Sequence, residues 1–498
     1  MLHSLVRNGK QIRCVQKCMF HQTKRTFAEK GIIKRNIEKG KTSSYITLKK
    51  LKNNLESVKN SLSPWNNDDD VVPWSDRPPE VSPHCDVLVI GGGVIGSSIA
   101  YWLKKRVYKD LKVIVVEKDP TYSKASTVLS AGGLRQQFSL PENIEMSLFG
   151  AEFICNINDY LNIEGEAPIE PYFHPYGYLL LSSESGAETL ERNSKLQNFL
   201  GAKNILLTAR RLKSMFPWLN TEDIALGCLG LEKEGWFDPW TLLCAFKKKA
   251  LYLGTEYVYA EAKGFDYKIM KDDNDSPIEK LDRLIIKTPA GEIKTIQFAL
   301  AVVAAGAFSG QIARLVKVNT ASGARSVYLP VEPRKRYVYC FHCPDGPGLN
   351  TPLTIDYTGA YFRREGLAGT YICGRSPEQS EEPPVDNLNV DYDYFDEKVW
   401  PALANRVKVF ESLKLKSSWA GYYEYNTFDR NGIIGTHPFH KNLFFATGFS
   451  GHGIQQAPAV GRAIAELIVD GKFMTIDLSK LSYDRIGLDK RMYEANIV

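Results

Sequence analysis

Val87-Leu88-Val89-Ile90-Gly91-Gly92-Gly93-Val94-Ile95-Gly96 is an apolar run that breaks into a G-x-G-x-x-G spacing. The run reads as a buried strand, and the residues after Gly93 read as the start of a helix. A second apolar run, Val113-Ile114-Val115-Val116, then ends in Glu117. Strand, glycine turn, helix, strand and acid, in that order, make the layout of a dinucleotide site. Gly91 permits the tight turn, Gly93 lets the backbone approach a pyrophosphate, and Gly96 lets helix and strand pack closely. Val94 and Ile95 open the helix, whose unpaired N–H groups and positive end face the phosphates. Glu117 is suited to accept hydrogen bonds from ribose hydroxyls, with Lys118 next to it.

The 498 residues are enough for two or three domain-sized units. A net charge of +6 conceals an asymmetry. Residues 1–60 contain fifteen Lys or Arg and three acids (Glu29, Glu38, Glu56), so residues 61–498 carry about −6. A mildly acidic body removes the main electrostatic argument for nucleic-acid binding. The first 28 residues hold Arg7, Lys10, Arg13, Lys17, Lys24 and Arg25 among apolar side chains, with no acid. They read as a mitochondrial presequence over 1–27, cut before Ala28 in Arg25-Thr26-Phe27-Ala28. Residues 28–84 turn polar and proline-rich and read as a linker. Nine dispersed cysteines, an odd number, point to free thiols in a reducing compartment. Cys340 and Cys343 have no second pair nearby to complete a zinc site, and no metal site is expected. No apolar run approaches the ~18 residues of a spanning helix, which leaves peripheral contact with the inner membrane open.

Beyond Cys85 the pattern is βαβ through Glu117. Pro141–Leu161 reads as one helix, and Tyr176–Leu181 as a strand. Asp238-Pro239 opens a helix that runs to Gly254. Leu284–Ile296 reads as a hairpin turning at Thr288-Pro289-Ala290-Gly291. Ala299–Ala305 is a buried strand running into Gly306, and Leu443–Thr447 is another running into Gly448, with a helix from about Ile454 to Val469. Three buried strands thus end in glycine, and in a doubly wound sheet ligands sit at such ends. The fold expected is α/β: a discontinuous Rossmann-like domain (85–170, 254–325, 426–480) with an inserted α+β substrate domain built on a mixed sheet (171–253, 326–425), and a tail over 481–498. A nicotinamide dinucleotide would not need Gly448-Phe449-Ser450-Gly451-His452-Gly453; an isoalloxazine ring would. Reduced flavin is negative near N1 and the C2 carbonyl, where the helix after Gly453 offers N–H donors and its positive end. The cofactor expected is FAD.

With Gly91–Gly96 and Glu117, the stretches Ala125-Ser126-Thr127, Ala131-Gly132-Gly133, Asp238-Pro239, Ala304-Ala305-Gly306-Ala307, Gly448–Gly453 and Ala457-Pro458 resemble the D-amino-acid oxidase / sarcosine oxidase (glycine oxidase-like) family of FAD oxidoreductases, from Cys85 to about Ser479. The resemblance implies cofactor contacts at Ser126, Thr127, Gly132, Gly133, Ala305, Gly306, Ser450, Gly451 and His452. Residues 136–143, 234–240, 330–339, 360–366 and 419–423 resemble those family members that assist assembly of mitochondrial respiratory complex I. That implies the mitochondrial matrix and complex I assembly intermediates or subunits as partners. Some relatives bond FAD through a histidine where this chain has Leu129, others through a cysteine where it has Tyr422. Neither residue supports those bonds, so FAD is expected to be held noncovalently.

If the protein oxidises an amine, hydride passes to flavin N5 and the protein aligns substrate and tunes charge. Arg363 and Arg334 are the candidates for binding the carboxylate of a small amine or amino-acid substrate through bidentate pairing. His452 reads as a spacer in the flavin loop. Lys335 and Arg336 fall on opposite sides of their strand.

Overall fold

Unbroken runs of Val, Leu and Ile suit a strand covered on both faces. His84–Ile90 is such a strand, with Val87, Leu88 and Val89 fully buried. It pairs in parallel with Val113–Glu117 on one side and with Ile293–Val303 on the other. In the computed structural model, which describes residues 81–271, 277–316 and 328–495, these strands lie at the centre of an eight-stranded sheet. Its order is Ile433–Thr436, Leu443–Thr447, Ile293–Val303, His84–Ile90, Val113–Glu117, Glu256–Tyr259, and the paired strands Glu261–Lys271 and Pro277–Lys287 attach through Ile293–Val303. The stretches expected to be a presequence (1–27) and, up to residue 80, a linker lie outside the described residues. The carboxyl ends of 84–90, 293–303 and 443–447 stand side by side, as the three glycines anticipate.

The hairpin turn at Thr288–Gly291 is present: Gly291 adopts φ +87° and its N–H donates to the Thr288 carbonyl at 2.9 Å. Its second arm and the buried strand after it are one element, Ile293–Val303. Burial alternates at the start, where the hairpin projects, and becomes continuous at Ala301-Val302-Val303.

Helices Val94–Arg106, Pro239–Tyr252 and Gly453–Asp470 contribute to one core with this sheet. The helices at 94–106 and 453–470 cross so closely that a Cβ on Gly461 would stand 2.2 Å from Ser98 Oγ, which donates to the Ala457 carbonyl. Helix 239–252 begins as its sequence predicts, the Asp238 carboxylate accepting from the Trp240 and Thr241 N–H groups. It joins this layer rather than the second sheet, because its apolar face (Leu242, Ala245, Phe246, Ala250) packs into the core of helix 94–106. The helix expected over 141–161 is two, Pro141–Cys155 and Ile157–Leu161. Asn156, at φ −115° and ψ 34°, breaks it.

The second sheet also has eight strands: Lys414–Asn426, Val331–His342, Thr370–Arg375, Ala360–Glu365, Leu353–Ile355, Tyr178–Ser182, Leu226–Gly230 and Asn204–Thr208. It is mixed, since 353–355 runs parallel to 178–182 and its other pairings are antiparallel. It meets the first layer where Trp419 Nε1 donates to the Leu129 carbonyl and Gly421 faces the Leu129 side chain. Cys340 and Cys343 lie at a strand end as free thiols. The stretch read as a tail is anchored. Arg485 pairs with Asp429 and the Glu494 carboxylate accepts the Ser139 N–H. Among the described residues no helix is long and apolar enough to cross a membrane.

Candidate cofactor and substrate site

The first glycine turn divides its work among its members. Gly91 has φ +104°, and a Cβ there would stand 2.3 Å from the Ala304 carbonyl oxygen, so only glycine fits between the ends of the central strands. A Cβ on Gly96 would stand 1.9 Å from the Gly91 carbonyl oxygen. At Gly93 the nearest atom to such a Cβ is Thr127 Oγ1, at 3.4 Å, and the residue borders open cavity. Thr127 Oγ1 accepts the Val94 N–H. The Glu117 carboxylate accepts the N–H of Gly92 at 2.7 Å and of Asp119 at 2.9 Å, while burial raises its pKa. Lys118 pairs with Glu261 at 2.9 Å.

The other two turns are tied together, since the Thr447 and Ser309 hydroxyls lie within hydrogen-bond distance at 2.7 Å. Gly306, Gly448 and Gly451 all have positive φ, and Ser450 shares that region at φ +45°. Ser450 holds its place by donating its N–H to the Glu424 carbonyl and accepting the Asn426 N–H on Oγ. Burial, helped by the positive charge of Arg135, pushes the His452 pKa down to about 3. In the neutral imidazole Nδ1–H donates to the Phe449 carbonyl, a bond within the loop itself.

Between the two sheets these turns border a cavity of about 1060 Å³, at the large end for ligand sites. Gly91, Gly93, Val94, Ile95, Glu117 and Lys118 line one part of it. Ser126, Thr127, Gly133, Ala305 and Gly306 also line it, as do Ser450, Gly451, His452 and Gly453. Gly96, Gly132 and Gly448 are not in the lining. Gly96 serves the helix–strand contact. Gly132 (φ +72°) presses on the Phe237 carbonyl, and a Cβ on Gly448 would meet Val331 at 3.0 Å. Leu129 and Tyr422, at the positions where relatives bond the flavin, also face the cavity.

Arg363 and Arg334 do not line the cavity, and their expected role is corrected. Arg363 shares the cavity-side face of its strand with Tyr361, but its guanidinium is already engaged. It donates to the Ala131 carbonyl at 3.0 Å, pairs with Glu365 at 2.6 Å and lies over Trp236. Burial would raise the Glu365 pKa, yet the Arg363 charge holds it below its usual value. Arg334 pairs with Glu332 at 2.6 Å and covers Tyr425. Both arginines brace the wall.

The basic side chains in the lining include Arg135 and Arg336. Arg135 is 7% exposed, stacks over Phe138 at 4.6 Å, and donates its backbone N–H to Gln455 Oε1. A strand-like alternation in Gly133-Leu134-Arg135 is the sequence signal for it: Gly133 and Arg135 face the cavity and Leu134 is fully buried. Arg336 lies over the Tyr423 ring and makes two bonds to Glu382, at 2.8 and 2.9 Å. Lys335, on the opposite side of the strand, donates to the Asn389 carbonyl. Tyr178, Tyr361 and Tyr423 complete a wall of phenols whose pKa values burial raises. Gly374 leaves room for Tyr361, a Cβ there falling 2.8 Å from its hydroxyl.

A cavity of this volume, lined by a carboxylate, a glycine turn and a helix N-terminus, fits a dinucleotide bearing a ring. The comparisons agree. Residues 86–467 match the family model "FAD dependent oxidoreductase". The chain is 52% identical over 436 residues to FAD-dependent oxidoreductase domain-containing protein 1 of Xenopus laevis, covering 86% of this chain and 87% of that one. It is 24% identical to glycine oxidase of Bacillus subtilis, covering 78% and 94%. Among solved structures it resembles L-proline dehydrogenase from P. horikoshii, with a TM-score of 0.68, 26% identity, and coverage of 83% of this chain and 100% of that one. Open backbone at Gly93, acceptors at Glu117 and glycines at the two further strand ends are what FAD requires, and the chain belongs to the DAO family of FAD-dependent oxidoreductases.

Proposed function

We propose that this chain is a flavoprotein of the mitochondrial matrix needed for assembly of respiratory complex I, holding FAD without a covalent bond. One observation carries the reading. The stretches that resemble complex I assembly factors are scattered along the chain, yet Phe138, Arg336, Tyr361 and Gly421–Tyr423 from four of them meet in the cavity wall. What marks that group is therefore gathered at the flavin site. The basic, acid-free first 28 residues support the matrix, and association with the inner membrane would be peripheral. Leu129 offers no nucleophile, and the Tyr422 hydroxyl donates to the Val385 carbonyl at 3.1 Å, which supports a noncovalent cofactor.

A second reading, oxidation of a small amine or amino acid, is favoured by Arg135 beside the phenol wall. Bound FAD would supply a hydride acceptor. Arg135 would hold the substrate carboxylate, and Tyr178, Tyr361 and Phe138 would exclude water around the amine.

The test begins with purified protein, expected to be yellow and to release FAD on acid precipitation; a colourless preparation that takes up no FAD defeats both readings. In cells lacking the protein, Gly93→Glu, which fills the cradle, is expected to abolish assembled complex I on native gels. Rescue by Arg135→Met would favour a flavin needed for assembly over substrate oxidation. Full rescue by Gly93→Glu would defeat the assembly reading as a flavin-dependent one.

A further inference from the structure

The cavity contains a carboxyl group that neither reading uses. Glu424 lies near the end of strand Lys414–Asn426 and reaches from the second sheet to the carboxyl ends of the first. Its Oε2 accepts the Gly448 N–H at 3.2 Å and the Thr447 hydroxyl at 3.3 Å. Its Oε1 lies 3.0 Å from where a Cβ on Gly453 would stand, and Oε2 lies 3.9 Å from the same point on Gly306. One carboxyl group is thus bonded at the turn after 443–447 and lies beside the turn after 293–303, close to the first residue of the eighteen-residue helix Gly453–Asp470. The other carboxylates in the lining (Glu117, Asp119, Glu261) gather around Gly92 and Lys118.

The head of that helix carries a partial positive charge and would ordinarily stabilise an anion. A flavin that accepts a hydride becomes negative along its N1–C2 edge, the edge this head is suited to receive. Glu424 lies beside that place, with Oε1 3.0 Å from where a Cβ on Gly453 would stand. Burial raises its pKa to about 7, against the bonds from Gly448, Thr447 and Phe449. Two negative charges in one poorly solvated place oppose each other.

We infer that Glu424 is a positioning residue that tunes the flavin: its carboxyl group shares the helix head with the ring and resists negative charge there, so that the bound cofactor is hard to reduce. The inference rests on the FAD reading above. It assigns the protein a flavin held in the oxidised state, as a cofactor needed for structure or for occasional reduction would be.

The test uses the full mature protein with bound FAD and sulfite as the probe. Sulfite donates its sulfur lone pair to flavin N5, forming an S–N bond and leaving the negative charge on the ring. Its affinity, read from bleaching of the visible band, therefore reports on the field at N1–C2. At pH 8, Glu424→Gln, which keeps the shape and an acceptor for Gly448, is expected to bind sulfite at least tenfold more tightly than the native protein. The flavin should also have a higher reduction potential. Unchanged sulfite affinity and potential overturn the inference. So does a folded Gln variant that has lost FAD, because Glu424 would then be a cofactor holder. If the Gln variant does not fold, Glu424→Asp, with its carboxyl one carbon further back, is expected to change both quantities in the same direction but less; no change overturns the inference. A native protein without flavin defeats the FAD reading itself, whereas a yellow native protein beside an indifferent Gln variant defeats this inference alone.

Discussion

A methyl group at Gly91 would meet the Ala304 carbonyl oxygen at 2.3 Å in a backbone at φ +104°, whereas one at Gly93 would meet only Thr127 Oγ1 at 3.4 Å. The two positions therefore separate folding from binding. Gly91→Ala is expected to lower apoprotein stability by about 2–3 kcal/mol in denaturant melts. Gly93→Ala should leave the apoprotein within about 0.5 kcal/mol of native and weaken FAD binding, as followed by flavin fluorescence. Equal losses of stability in both would contradict the division of labour drawn from the turn. The arginines divide in a similar way. Arg363→Met leaves the half-buried Glu365 without its partner, and a cost of about 2 kcal/mol is expected in thermal or chemical unfolding. Arg135→Met keeps the packing on Phe138 and is expected to retain FAD while losing small carboxylates, measured as spectral perturbation of the flavin by such ligands.

At the scale of elements, two carboxylates hold segments together without touching the site's ligand space. Glu234 precedes the short strand Gly235–Trp236 and is buried; it accepts the Gln136 N–H at 2.6 Å and the Gln137 amide at 2.8 Å. Burial raises its pKa from 4.5 to about 7, more than those donors and Arg135 lower it. A carboxyl group with a raised native pKa binds its proton better when folded. Its stabilising contribution is full below pH 4.5 and is lost as pH rises through about 7. Stability should accordingly fall by about 3 kcal/mol over that interval, and Glu234→Gln should flatten the slope in melts at pH 5 and 8; an unchanged slope would remove Glu234 as its source. Helix Pro141–Cys155 has no side-chain cap of its own. Glu494 supplies a carboxylate there from the far end of the chain, bonded to the Ser139 and Leu140 N–H groups and to the Asn143 amide. Glu494→Ala is expected to cost about 2 kcal/mol, measured by thermal unfolding.

Among the described residues two eight-stranded sheets flank a cavity, and the cavity wall draws on residues from Ile90 to Gln455. A ligand that bridges so many segments binds the folded state alone. FAD at a hundred times its dissociation constant should therefore raise stability by about 2.7 kcal/mol, with a matching rise in melting temperature. A melting temperature indifferent to FAD would mean that the cavity is not the cofactor site.

Local chemistry made several features legible before the fold was known. An apolar run ending in G-x-G-x-x-G announces a strand, a turn and a helix, because only glycine tolerates the positive φ at Gly91 and the contact at Gly96. Asp238-Pro239 announces a helix start, and Thr288-Pro289-Ala290-Gly291 a hairpin, for equally local reasons of capping and turn geometry. The glycines at 306 and 448 lengthened the expected ligand from a generic dinucleotide to FAD. The partners of the long charged side chains were not legible. Arg363 does lie on the face shared with Tyr361, but a guanidinium reaches several ångströms, and its destination depends on Glu365, Ala131 and Trp236 arriving from elsewhere. Arg135 enters the cavity because Leu134 is buried on the other side, and Glu424 reaches the helix head because two sheets meet there. Sequence alone determined the elements and the backbone turns that need glycine, since those are set by residues near in the chain. Only the tertiary structure decided which charges face the cavity, because burial and pairing are set by residues that are near only in space.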